Sequence, residues 1–87
     1  MAKIQLLDMW AVWCQPCRIM NPIIEEIEKE LAGKVEVVKI NVDEKPEEAS
    51  KYGVMSIPTY IFLKDDREVG RKVGVTAKAE LLKLLQS

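Results

Sequence analysis

The sequence has no histidine, two cysteines and few aromatics, at 6% of 87 residues. A structural zinc site takes about four ligands, mostly Cys and His, so this chain cannot furnish one. Haem attachment through CxxCH is excluded too, because Arg18 follows the second cysteine. A net charge of −1 leaves no basic footprint for nucleic acid. No apolar run approaches the roughly 20 residues that a membrane helix requires. Met1-Ala2-Lys3 leads straight into a strand-like segment with no leader pattern, so a cytoplasmic location is expected. Linkers, repeats and low-complexity segments are missing, so residues 1–87 are expected to form one domain. At 48% hydrophobic residues it has the material for a core.

What is present is concentrated in Trp13-Cys14-Gln15-Pro16-Cys17-Arg18. The stretch follows an apolar, strand-like run and opens an amphipathic, helix-like one. On the first turn of a helix, residues three apart share a face, near enough for two sulfurs to bond. Unpaired N–H groups and partial positive charge at the helix start favour a thiolate, so Cys14 should have a depressed pKa. Cys17, one turn further in, should be less exposed. Pro16 suits a first turn, where its missing N–H has no intrahelical partner. Cys14 is then the group that attacks a target disulfide, and Cys17 resolves the mixed disulfide. A purely structural disulfide here would close too short a loop to stabilise much. Cytoplasmic disulfides are usually transient and catalytic, which favours the redox reading.

Around this stretch the pattern alternates between strands and helices. Lys3 to Trp10 reads as a buried central strand, with Asp8 out of place inside it. A buried Asp8 would hold its proton to higher pH than usual; an Asp8 at a wet strand end would be ordinary. Gln15 to Leu31 reads as a helix with Ile19, Ile23, Ile27 and Leu31 recurring every four residues and Met20, Ile24 and Pro16 beside them. Pro22 should kink it near Ile19. Val35 to Val42 is a second strand, parallel to the first through a right-handed crossover. Lys39 could share a face with Asp8, depending on register. A short helix, Pro46 to Lys51, ends at Gly53. Thr59 to Leu63 and Glu68 to Val73 form an antiparallel pair across Asp65-Asp66-Arg67. Thr76 should cap a last helix, Ala77 to Gln86.

The set Asp8-Met9-Trp10-Ala11-Val12-Trp13-Cys14-Gln15-Pro16-Cys17, Pro22, Lys39-Ile40-Asn41-Val42-Asp43, Tyr52-Gly53-Val54, Ile57-Pro58-Thr59 and Lys72-Val73-Gly74 resembles the thioredoxin family over nearly the whole chain. The resemblance implies a protein-disulfide reductase, a dithiol electron carrier that needs no bound cofactor or metal. By that resemblance Cys14 is the exposed nucleophile and Cys17 the buried resolving thiol of a redox-active disulfide. Asp8 is the buried acid that takes the Cys17 proton, and Lys39 its neighbour. Pro58 is a cis proline facing the sulfurs, leaving the Ile57 backbone free to pair with an extended substrate strand. Trp13, Ile57, Val73 and Gly74 form an apolar groove over Trp10. Gln15, Pro16 and Thr59 complete the substrate-binding surface. The implied partners are disulfide-containing proteins and a thioredoxin-reductase-type electron donor.

Two departures stand out. Gln15-Pro16 replaces the usual Gly-Pro, a pair that influences redox poise. Only seven residues precede Asp8, too few for the strand and helix with which the family usually begins. The expected fold is therefore α/β and thioredoxin-like, a four-stranded mixed sheet ordered 2-1-3-4 with three helices on its two faces. One face would carry only the short middle helix. A monomer is expected, though apolar surface exposed on that face would suit a weak dimer. The alternatives are a glutaredoxin-like or disulfide-donating, isomerising oxidoreductase, and a non-catalytic module that keeps the fold as a scaffold.

Overall fold

The computed structural model describes residues 2–86. Its elements are β1 (Ile4–Trp10), α1 (Gln15–Glu30), β2 (Val35–Asn41), α2 (Pro46–Lys51), β3 (Thr59–Lys64), β4 (Arg67–Val73) and α3 (Lys78–Leu85). The sheet order is β2-β1-β3-β4, as expected. β1 runs parallel to β2 and antiparallel to β3, which is antiparallel to β4.

Side-chain alternation along β1 sorts the core into two halves. Leu6 faces Met20, Ile24 and Ile27 of α1, Leu81 and Leu85 of α3, and Tyr60 and Phe62 of β3. Leu7 and Met9 face the other way, with Ile40, Ile61 and Leu63 against Tyr52, Val54 and Ile57. Burial on both faces explains why β1 reads as a nearly continuous apolar run.

α1 continues through Pro22 to Glu30, and its apolar side is the expected one except at Ile19 and Pro16. The seam is Cys17, Met20, Ile24 and Ile27, while Ile19 is 56% exposed. At 3.6 residues per turn, a strict four-residue repeat drifts about 40° per step off the core face. Seam spacings of three and four cancel that drift.

The last helix also differs from expectation. Ala77 occupies its N-cap, with no side-chain cap bond. The Thr76 hydroxyl donates instead to the Gly74 carbonyl at 3.0 Å, because Gly74, at φ +86°, turns the chain back toward it. The Thr76 N–H donates to the Met20 sulfur at 3.4 Å and ties this loop to α1. The β3–β4 hairpin turns on Asp65 and Asp66, both at positive φ, the conformation of a type I′ turn.

The face beneath α2 is better covered than expected. Leu7, Met9, Ile40, Ile61 and Leu63 are each at most 6% exposed. Arg71 donates to the Tyr52 carbonyl at 2.8 Å and pairs with Glu68 at 2.6 Å, linking β4 to the end of α2. Large apolar side chains that are exposed include Val12, Trp13, Met55, Val73 and Val75. Most of these neighbour the cysteine stretch in sequence or across the loops that face it.

Candidate active site

Where β1 ends, the chain turns through Ala11, Val12 and Trp13 and enters α1 with Cys14 as its N-cap. The Cys14 N–H donates to the Ala11 carbonyl at 3.2 Å, closing that turn. The Cys14 sulfur accepts from the Cys17 N–H at 3.2 Å, so a sulfur fills the place where a capping oxygen often sits. Cys14 and Cys17 are joined in a disulfide, with Cα atoms 5.3 Å apart. Helical i, i+3 spacing thus meets the distance such a bond requires.

Both cysteines are 3% exposed, which corrects the expectation that Cys14 stands clear of Cys17. In the disulfide form the two sulfurs share one packed unit. Ala11 is buried with them, and Trp10, Val42 and Ile57 pack around it. Exposure has moved to the rim: Trp13 is 66% exposed, and Gln15 and Pro16 lie on the surface.

Opposite the rim, the Ile57–Pro58 peptide bond is cis. The Gly74 N–H donates to the Pro58 carbonyl at 2.8 Å, latching the loop after β4 onto the loop before β3. Thr59 is buried and its hydroxyl donates to the Ser56 carbonyl at 2.6 Å, so it braces this loop from within. Val73 is 57% exposed at the end of β4, in register with Thr59. Of the expected groove residues, Ile57 packs against the cysteine cluster, and Gly74 is tied to Pro58 beside it in sequence.

The buried acid lies on β1, the strand that leads into the cysteine turn. Asp8 is 3% exposed in the middle of the sheet, so the wet strand end is ruled out. Burial pushes its carboxyl up to about 6, against a smaller pull from Lys39. Register sets Lys39 beside Asp8 on one flank and Tyr60 on the other. Lys39 itself is exposed and reaches Asp8 through its charge rather than through a close ion pair.

Four features were not singled out from sequence. Asp43 accepts a hydrogen bond from the Trp13 indole N–H at 2.7 Å, and the Asn41 side chain holds Asp43 in place through its backbone N–H at 2.9 Å. Arg18 donates to the Val12 carbonyl at 2.9 Å, steadying the turn before Cys14. Met55, 97% exposed, lines an open recess of about 410 Å³ with Trp13, Val42, Ala49, Val54, Ser56 and Ile57. Tyr60 sits opposite Asp8. Apart from the Arg18 bond, which spans six residues, each depends on contacts between distant segments, for which one sequence carries no local signal.

A disulfide at a helix N-terminus, packed against the residue before a cis proline and preceded by a strand that buries an acid, defines a thiol–disulfide oxidoreductase. The Thioredoxin family model matches residues 1–87. The thioredoxin of Rickettsia bellii is 49% identical over 82 residues, covering 94% of this chain and 78% of that one. That of Staphylococcus aureus is 45% identical over 82 residues, covering 94% and 79%. Among solved structures, Fasciola hepatica thioredoxin superposes with a TM-score of 0.89 at 37% identity, covering 97% of this chain and 79% of that one. A mutant thioredoxin from Halobacterium salinarum gives 0.89 at 33% identity, covering 97% and 73%. This chain belongs to the thioredoxin family. It is a dithiol carrier that works by thiol–disulfide exchange.

Proposed function

We propose that the protein reduces disulfides of other proteins, with Cys14 as nucleophile and Cys17 as resolving thiol. The observation that carries this reading is the Cys14–Cys17 pair at the start of α1, packed among apolar groups and overlying the sheet that holds Asp8. In the reduced protein the Cys14 thiolate attacks one sulfur of a target disulfide. A mixed disulfide forms, and the target's other sulfur leaves as a thiolate and takes a proton from solvent. Cys17 gives its proton to the Asp8 carboxylate and attacks the Cys14 sulfur. The Cys14–Cys17 bond forms, the second target thiolate leaves, and two electrons have passed to the target.

Asp8 suits the base role because its raised pKa lies closer to that of a thiol than an ordinary carboxylate's does. Lys39 balances its charge when ionised. The target approaches as an extended strand, pairing with the Ile57 backbone beside Pro58. Trp13, Val73 and Gly74 receive its apolar side chains, and Gln15, Pro16 and Thr59 border the attack site. A reductase of the thioredoxin-reductase type returns the electrons. The setting is the cytoplasm, where disulfides are transient, and the working unit is the monomer.

Turnover of a disulfide-bearing protein in a reductase-coupled assay tests this. Cys14→Ser should abolish turnover, and Cys17→Ser should accumulate a Cys14 mixed disulfide visible by mass spectrometry. Residual turnover in Cys14→Ser would reject the assignment.

A further inference from the structure

A row of polar side chains crosses the sheet on the α1/α3 face. Register places Lys39 of β2, Asp8 of β1, Tyr60 of β3 and Lys72 of β4 side by side. Directly opposed residues of an antiparallel pair have Cβ atoms about 4.5–5.5 Å apart. Tyr60 is 1% exposed and Asp8 3%, so few other polar groups compete for either. No hydrogen bond joins the two in the disulfide form among the described residues. Burial, and then the Asp8 charge, push the Tyr60 phenol well above its ordinary value. It is therefore a neutral O–H throughout the physiological range.

The groups around Asp8 can be named element by element. β2 offers Lys39, β3 offers Tyr60, and α1 brings the two cysteines. β4 offers Lys72 beyond Tyr60, and Glu80 of α3 lies 3.7 Å from Lys72, offsetting its charge. On the β3 flank, the phenol is the polar group nearest in register to Asp8.

We propose that the Tyr60 hydroxyl is a positioning group for Asp8, a neutral donor that favours the ionised carboxylate and so keeps it available to take the Cys17 proton. The inference rests on the assignment of Asp8 as base. Its logic is electrostatic. A buried carboxylate is costly without a donor nearby, and a phenol dipole lowers that cost without adding a charge. Replacing the hydroxyl by hydrogen leaves an apolar flank, and Asp8 should then hold its proton to higher pH.

The test uses an aryl disulfide whose released thiolate absorbs visible light, added to the reduced protein. First release reports attack by Cys14, and second release reports resolution by Cys17. Tyr60→Phe should leave the pH profile of first release unchanged and move that of second release up by about one pH unit. Starting from an Asp8 value of about 6, that slows resolution roughly fivefold at pH 6 and twofold at pH 7, with no change at pH 9. In an Asp8→Asn background, Tyr60→Phe should add nothing. Superimposable profiles for parent and Tyr60→Phe would overturn the proposal, as would equal slowing with and without Asp8. If Asp8→Asn itself leaves second release unchanged, the assignment of Asp8 as base fails first, and this inference with it. Thermal melts of each variant separate such effects from unfolding.

Discussion

The two faces of the sheet have different designs. On the α1/α3 side, two helices cover a thick apolar core, yet the row containing Asp8 introduces charge at its active-site end. On the α2 side, one six-residue helix and the loop after it cover a core of aliphatic side chains alone. The difference arises from strand alternation. Asp8 shares a face with Leu6, and that face receives α1 with its sulfurs. A one-residue slip of β1 would move the acid to the α2 side, with the sheet between it and α1. The acid thus lies on the face that α1 covers, while the other face carries an apolar core that continues into the recess beside Trp13.

The largest test of this contrast is to empty each core. Phe62→Ala, on the α1/α3 side, should cost about 3–5 kcal/mol. Ile61→Ala, its neighbour facing α2, should cost about 2–3 kcal/mol, because one short helix can settle into the space. Chemical denaturation of both variants decides it. Equal losses would mean the α2 face is packed as rigidly as its opposite.

The buried acid gives the next effect, and it carries a sign. Asp8 rises from 3.8 to about 6 on folding, so the folded state prefers the protonated form. Its contribution is fully favourable below about pH 4 and is lost as pH rises through about 6. Two pH units correspond to a penalty of order 3 kcal/mol above that range. Asp8→Asn removes the titration. The variant should match the parent near pH 3.5 and exceed its stability by up to about 3 kcal/mol at pH 8, while resolving mixed disulfides more slowly. A stability difference that does not change between pH 3.5 and 8 would show that Asp8 keeps an ordinary pKa.

The same contrast shows what the sequence made legible. Element order and the cysteine site followed from local patterns, apolar runs, helix spacing and two cysteines three apart around a proline, while the strand order followed from the family resemblance. Features that depend on a third dimension did not follow. Ile19 looked buried because a four-residue repeat was read without its rotation. Thr76 looked like a cap because its hydroxyl could equally serve a helix or the turn at Gly74. Cys14 looked exposed because its neighbours Trp10, Val42 and Ile57 come from three separate segments. Asp8 was suspicious in sequence, but only register shows that Lys39 and Tyr60 are its flanking residues.

The smallest effect lies at the rim, where the two faces meet solvent. Trp13 is exposed, yet its indole N–H is fixed on Asp43, which leads from β2 toward α2. That bond orients a ring from the α1 side over a recess walled largely by residues near α2, including Ala49, Val54 and Met55. An exposed hydrogen bond contributes little to folding, so Asp43→Ala should change stability by less than about 1 kcal/mol. Its effect should fall on binding, because an unpinned ring must be ordered again when a target docks, at about 0.5–1.5 kcal/mol per side chain. KM for a protein disulfide should then rise several-fold, while the rate of Cys14 attack on a small aryl disulfide, which needs no groove, stays unchanged. Equal slowing with both substrates would place the role of Asp43 at the sulfurs instead of at the rim.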